Sequence, residues 1–130
     1  MKKFYYPLLK NAISNSDIQK GISVLKSKQL TMSKITRTFE MEFAKYIGSR
    51  YAVMVNSGSS ANLLSVFASC NPLRNKKFKR GDEAIIPAIC WSTSLWPLVQ
   101  SGLKPIFADI EKDTLNIDFD SLESKITKKT

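Results

Sequence analysis

The 130-residue sequence contains no histidine. Histidine-based triads, histidine metal sites and imidazole acid–base chemistry are therefore excluded from these residues. Cysteine is scarce: Cys70 and Cys90 have neither zinc-finger spacing nor a disulfide-rich setting. They read as reduced thiols of a cytoplasmic protein. No apolar run reaches the roughly 18 residues of a membrane-spanning helix. The start, Met1-Lys2-Lys3-Phe4-Tyr5-Tyr6-Pro7, is basic but lacks the apolar stretch of a signal peptide. No internal repeat and no low-complexity segment interrupts the chain.

What is present is a composition of 43% hydrophobic and 24% charged residues, ordinary for a globular domain, and a formal net charge of +9. Much of that charge lies in Arg74-Asn75-Lys76-Lys77-Phe78-Lys79-Arg80 and in Lys125, Lys128 and Lys129. A basic run can be a nucleic-acid footprint. No nucleic-acid motif accompanies it, so a solvated loop is the preferred reading and no nucleic-acid partner is expected. A basic, non-catalytic binding module is the alternative that this run alone supports.

Periodicity divides the chain into two rhythms. Ser16 can cap a helix over residues 17–26, where Ile18, Ile22 and Leu25 recur at helical spacing. Residues 27–33 read as a connection. Ile35, Phe39, Phe43, Tyr46 and Ile47 mark a second amphipathic helix, which Gly48 stops. An N-terminal helical segment, 1–48, is thus expected ahead of a second part, 49–130. There Tyr51–Val55 predicts a strand, Asn56–Ser60 a tight turn and Ala61–Ala68 a helix. Residues 84–87 predict a second strand. A helix near Ser92–Ser101 follows, with Pro97 as a kink or a late start. Residues 105–110 predict a third strand and Asp118–Ile126 a last helix. Alternation of this kind predicts α/β architecture with a parallel sheet covered by helices.

Parallel sheets bind ligands at the carboxyl ends of their strands. The turn Asn56–Asn62 occupies such a place. Free amides at the following helix start, together with the helix dipole, favour a phosphate. Gly58 allows close backbone approach, and Ser59 and Ser60 add hydroxyls. The segment is neither a three-glycine dinucleotide fingerprint nor a Walker A loop. Taken alone it is a weak signal, and an ordinary serine-capped helix is the commoner reading. Beyond the next strand, Trp91 can lie against a planar ring, though a core aromatic is the commoner role. A phosphate cradle at one strand end with an aromatic plate at the next says more than either feature alone.

The string Tyr51-Ala52-Val53-Met54-Val55-Asn56-Ser57-Gly58-Ser59-Ser60-Ala61-Asn62-Leu63-Leu64 resembles the cofactor-phosphate segment of the DegT–StrS family of pyridoxal-phosphate (PLP) sugar-nucleotide aminotransferases. So does Gly81-Asp82-Glu83-Ala84-Ile85-Ile86-Pro87-Ala88, followed by Trp91-Ser92-Thr93. The stretch from Gln100 to Ile110, then Thr114–Asp118, continues the match, and Phe39–Gly48 fits upstream. Together they cover most of residues 30–126. One departure is Ser33, which follows Leu30-Thr31-Met32 where similar elements continue with glycine.

The resemblance implies a three-layer αβα fold-type I large domain, incomplete here, in a homodimeric cytoplasmic enzyme. Gly58, Ser59 and Ser60 would hold the phosphate of PLP, or of pyridoxamine phosphate, and Trp91 would stack on its ring. The substrates would be a keto-sugar nucleotide and an amino donor such as glutamate, in cell-surface polysaccharide (lipopolysaccharide, O-antigen) or deoxyaminosugar biosynthesis. A related subgroup, the 4-keto-6-deoxy sugar nucleotide 3-dehydratases, is particularly similar over Ser57–Leu63. There a histidine replaces the lysine that anchors the cofactor. In the family that lysine and the acidic partner of the pyridine nitrogen lie beyond position 130. No catalytic residue, no metal and no activity of the chain by itself are therefore expected. Lys104, at the amino end of its strand, reads as a surface residue.

Overall fold

The computed structural model describes Pro7, Leu9, Lys10 and residues 12–130. The chain divides into two units, Met1–Met54 and Val55–Thr130.

The first unit holds α1 (Asn15–Ser27) and α2 (Lys34–Ile47). Helix α1 begins earlier than the sequence suggests. Its cap is Ser14, not Ser16: the Ser14 hydroxyl accepts the Asp17 amide at 3.2 Å, and the Asp17 carboxylate accepts the Ser14 amide at 2.9 Å. This reciprocal box satisfies two otherwise orphaned donors, and Ser16 lends its hydroxyl to Ser14 at 2.8 Å. Hydrogen bonding from Ser14 holds the Asp17 carboxyl below the usual carboxylate range. Helix α2 ends as expected at Gly48, whose φ of 72° is the left-handed region that favours glycine. Phe39 and Phe43 stack one turn apart, with ring centroids 5.6 Å apart.

Residues 51–55 do not form the expected strand. Nothing among the described residues offers them a ladder. Instead the Met54 amide donates to the Glu40 carboxylate at 2.8 Å, and Ser49 Oγ donates to the Tyr51 carbonyl at 2.8 Å. The Met54–Glu40 bond ties the end of this segment to α2.

The second unit runs α3 (Gly58–Ser69), β1 (Glu83–Pro87), α4 (Ser92–Gln100), β2 (Lys104–Ala108) and α5 (Phe119–Ser124). Strands β1 and β2 pair in parallel, with Glu83 opposite Lys104 and Pro87 opposite Ala108. Helix α4 is the crossover between them, and α3 packs against it. The architecture is a partial α/β one: two of the three expected strands pair, both parallel. Ile86, Leu103 and Ala108 are buried around this β–α–β unit. Both strands start after a left-handed glycine, Gly81 (φ 89°) and Gly102 (φ 81°), and the Gly81 amide donates to the Gly102 carbonyl at 2.8 Å.

Strand β2 stops two residues short of the expected end. The Asp109 amide leaves the ladder for Ser121 Oγ at 2.9 Å, and Ile110 forms an antiparallel bridge with Ile117. Helix α5 is capped by Asp118, whose carboxylate accepts the Ser121 amide at 2.6 Å. Cys70 and Cys90 are free thiols. Among the described residues no helix is long and apolar enough to cross a membrane.

Candidate functional site

Helix α3 begins at Gly58, three residues before the expected start. Ser57 is the reason: its hydroxyl accepts the Ser60 amide at 3.2 Å, which draws the turn into the helix. The Ala61 amide closes the first helical bond to the Ser57 carbonyl at 3.1 Å. The amides of Gly58 and Ser59 find no acceptor among the described residues, and neither does the Ser59 hydroxyl. A Cβ added at Gly58 would meet nothing within 4 Å, so open space lies beside these donors. Two free amides, a free hydroxyl and the positive end of a 12-residue helix suit a phosphate group.

Ser60 is engaged differently. Its hydroxyl donates to Asn56 Oδ1 at 2.7 Å and accepts from Ser57 Oγ at 3.2 Å. Asn56 and Ser57 thus join the site residues that residue type marks; a serine three residues ahead of Ser60 is the capping signal for Ser57.

Trp91 immediately precedes α4 and is 74% exposed, with its ring face unshared by another aromatic among the described residues. An uncovered indole is available for stacking on a planar ligand. Ser59 and Ser60 line a groove of about 250 Å³ with Leu63, Thr93, Trp96 and Gln100. Trp91 does not line that groove. Trp96 is 55% exposed and forms one of its walls. The reason is the helical turn: Pro97, its neighbour, takes the buried position against α3. A larger cavity of about 440 Å³, bounded by Val66, Phe78, Ile85, Leu98 and Leu103, contains none of the candidate residues. Lys104 is exposed and pairs with Glu83 at 3.4 Å, as a surface residue would.

Residues 11–130 match the family model described as the DegT/DnrJ/EryC1/StrS aminotransferase family. The GDP-4-keto-6-deoxy-D-mannose 3-dehydratase of Yersinia pseudotuberculosis is 46% identical over 125 residues, covering 96% of this chain and 32% of the relative. The UDP-4-amino-4-deoxy-L-arabinose–oxoglutarate aminotransferase of Shewanella sediminis is 28% identical over 131 residues, covering 100% of this chain and 32% of the relative. Among solved structures, the E. coli GDP-4-keto-6-deoxy-D-mannose-3-dehydratase with bound hydrated PLP is similar with a TM-score of 0.85 at 44% identity. That match covers 97% of this chain and 32% of the other. The chain thus spans about a third of the length of the curated relatives it matches.

Proposed function

The chain belongs to the DegT/DnrJ/EryC1/StrS aminotransferase family, and from that premise we propose that it supplies the cofactor-phosphate part of a PLP-dependent enzyme acting on a keto-sugar nucleotide. PLP, when bound, supplies an electrophilic carbonyl and an electron-withdrawing ring. The chain's own residues bind and orient it. The segment Gly58-Ser59-Ser60 holds the phosphate at the start of α3, and Trp91 covers one face of the ring. Neither task needs a proton transfer, in keeping with the absence of histidine. The parent fold is the three-layer αβα large domain of fold type I, working as a cytoplasmic homodimer.

Within the family, the reading we favour is 3-dehydration of a 4-keto-6-deoxy sugar nucleotide, with glutamate regenerating pyridoxamine phosphate. The observation that carries it is the 46% identity to a 3-dehydratase over nearly the whole chain. Amino transfer to a keto-sugar nucleotide is the second reading, supported by the match to a sugar-nucleotide aminotransferase. Both serve cell-surface polysaccharide or deoxyaminosugar synthesis.

A chimera tests the assignment: this chain replaces the matching residues of the Yersinia pseudotuberculosis relative. Incubated with GDP-4-keto-6-deoxymannose, PLP and glutamate, the chimera should release a 3-deoxy product. The residue at the cofactor-anchoring position beyond residue 130 decides between the two readings: a histidine there supports dehydration and a lysine supports amino transfer. A folded chimera that binds no PLP would contradict the shared premise.

A further inference from the structure

Resting on that phosphate-site reading, we propose that Asn56 is a positioning residue that acts through Ser60, and that within this turn Gly58 and Ser59, not Ser60, donate to the phosphate. A serine hydroxyl has a single hydrogen. In Ser60 it goes to Asn56 Oδ1 at 2.7 Å. The Ser60 amide is equally committed, donating to Ser57 Oγ at 3.2 Å. Ser57 in turn directs its own hydroxyl to Ser60 Oγ at 3.2 Å. The result is a directed chain, Ser57 to Ser60 to Asn56, closed by the Ser60 amide.

Two consequences follow from that polarity. Ser60 has no hydrogen left for an anion, and its oxygen can present only lone pairs, which an anion repels. The donors that remain are the Gly58 amide, the Ser59 amide and the Ser59 hydroxyl, none of which has a protein acceptor among the described residues. Asn56 lies two residues before α3, on the segment that delivers the turn. Its side-chain oxygen fixes the Ser60 hydroxyl and through it the cap. The donor set is thereby held in place before the ligand arrives, which lowers the ordering cost of binding. The two adjacent serines therefore divide the work: Ser59 touches the phosphate and Ser60 holds the turn.

The test measures pyridoxamine phosphate binding by the purified protein, with the ³¹P resonance of the bound phosphate as a second readout. Ser59→Ala should raise Kd about 10-fold or more, the lower end for one charge-assisted hydrogen bond, and shift the bound ³¹P resonance. Ser60→Ala and Asn56→Ala should each raise Kd about 3-fold and leave the bound resonance where it is. The Asn56→Ala, Ser60→Ala double variant should lose no more than either single variant, because both act through one contact. Ser60→Thr, which keeps the hydroxyl, should bind like the unaltered protein even if Ser60→Ala folds poorly. Additive losses in the double variant, or a ³¹P shift in Ser60→Ala matching that in Ser59→Ala, would overturn the division of labour. Failure of the unaltered protein to bind pyridoxamine phosphate would instead overturn the phosphate-site reading beneath it.

Discussion

Asn62 Nδ2 donates to the carbonyl of Thr93 at 3.4 Å, and that carbonyl is free because of Pro97. In an α-helix the Thr93 carbonyl would accept the amide four residues on. Position 97 is proline, which has no amide hydrogen. The helix that carries the phosphate donors thus ties itself to the first turn of α4 through a bond that α4 cannot make internally. Asn62→Ala should loosen the α3–α4 pairing and lower stability by about 0.5–1 kcal/mol. Urea denaturation of the variant measures this. An unchanged midpoint would show that water serves the Thr93 carbonyl equally well.

Trp91→Ala should weaken pyridoxamine phosphate binding more than Ser59→Ala. An aromatic stack contributes roughly 0.5–1.5 kcal/mol beyond its area, and the buried ring area adds roughly 25 cal/mol per Å². The Ser59 hydroxyl contributes roughly 1.5–3 kcal/mol, but two neighbouring amides remain to hold the phosphate without it. Dissociation constants for the two variants decide the order. A larger loss in Ser59→Ala would place the phosphate contacts first.

Much of this architecture is legible in the sequence, and the failures share a cause. Helix α2 and its stop at Gly48 are written in local periodicity and one glycine. The parallel pairing of 83–87 with 104–108 is legible because apolar strands flank a helix of suitable length. What cannot be read locally is any feature decided by a distant partner. Tyr51–Val55 has strand composition, yet the Met54 amide goes to Glu40, 14 residues away. Strand β2 ends where Ser121 captures the Asp109 amide. In the candidate site, Gly58, Ser59 and Ser60 stand out by residue type. The separate role of Ser60 emerges only from the direction of its bond to Asn56.

The carboxyl-terminal segment should come away from β1 in acid. Thr127 Oγ1 donates to the Glu83 carboxylate at 2.6 Å, and the Glu83 amide donates to the Lys129 carbonyl at 2.8 Å. The Thr127 hydrogen bond, aided by Lys104, holds the Glu83 carboxyl below the usual glutamate range. A carboxyl with a depressed folded-state pKa stabilises fully above its unfolded value, and the contribution disappears as pH falls through the folded value. Protection of the Glu83 amide from hydrogen exchange should therefore fall as pH drops below the ordinary glutamate range. Glu83→Gln should remove that dependence. Equal acid sensitivity in the variant would assign the effect to another group.

Two glycines should respond to alanine with opposite sign. Gly102 has φ of 81°, and a Cβ there would lie 2.9 Å from Arg80 Cγ. Gly102→Ala should cost about 1–2 kcal/mol from the left-handed backbone alone, with the Arg80 side chain displaced. Gly21 lies inside α1 with nothing within 4 Å of an added Cβ, so Gly21→Ala should stabilise by about 0.5–1 kcal/mol. Thermal denaturation of both variants checks the pair. Equal effects would contradict the conformational argument.

The central claim concerns where the cofactor lies, and a crystal structure of the protein with pyridoxamine phosphate measures that directly. The account predicts the phosphate within hydrogen-bond distance of the Gly58 and Ser59 amides and the Ser59 hydroxyl, with the Trp91 indole against the pyridine ring. It also predicts Ser60 Oγ still directed at Asn56. A phosphate bound away from the start of α3, or a pyridine ring with no contact to Trp91, would contradict it.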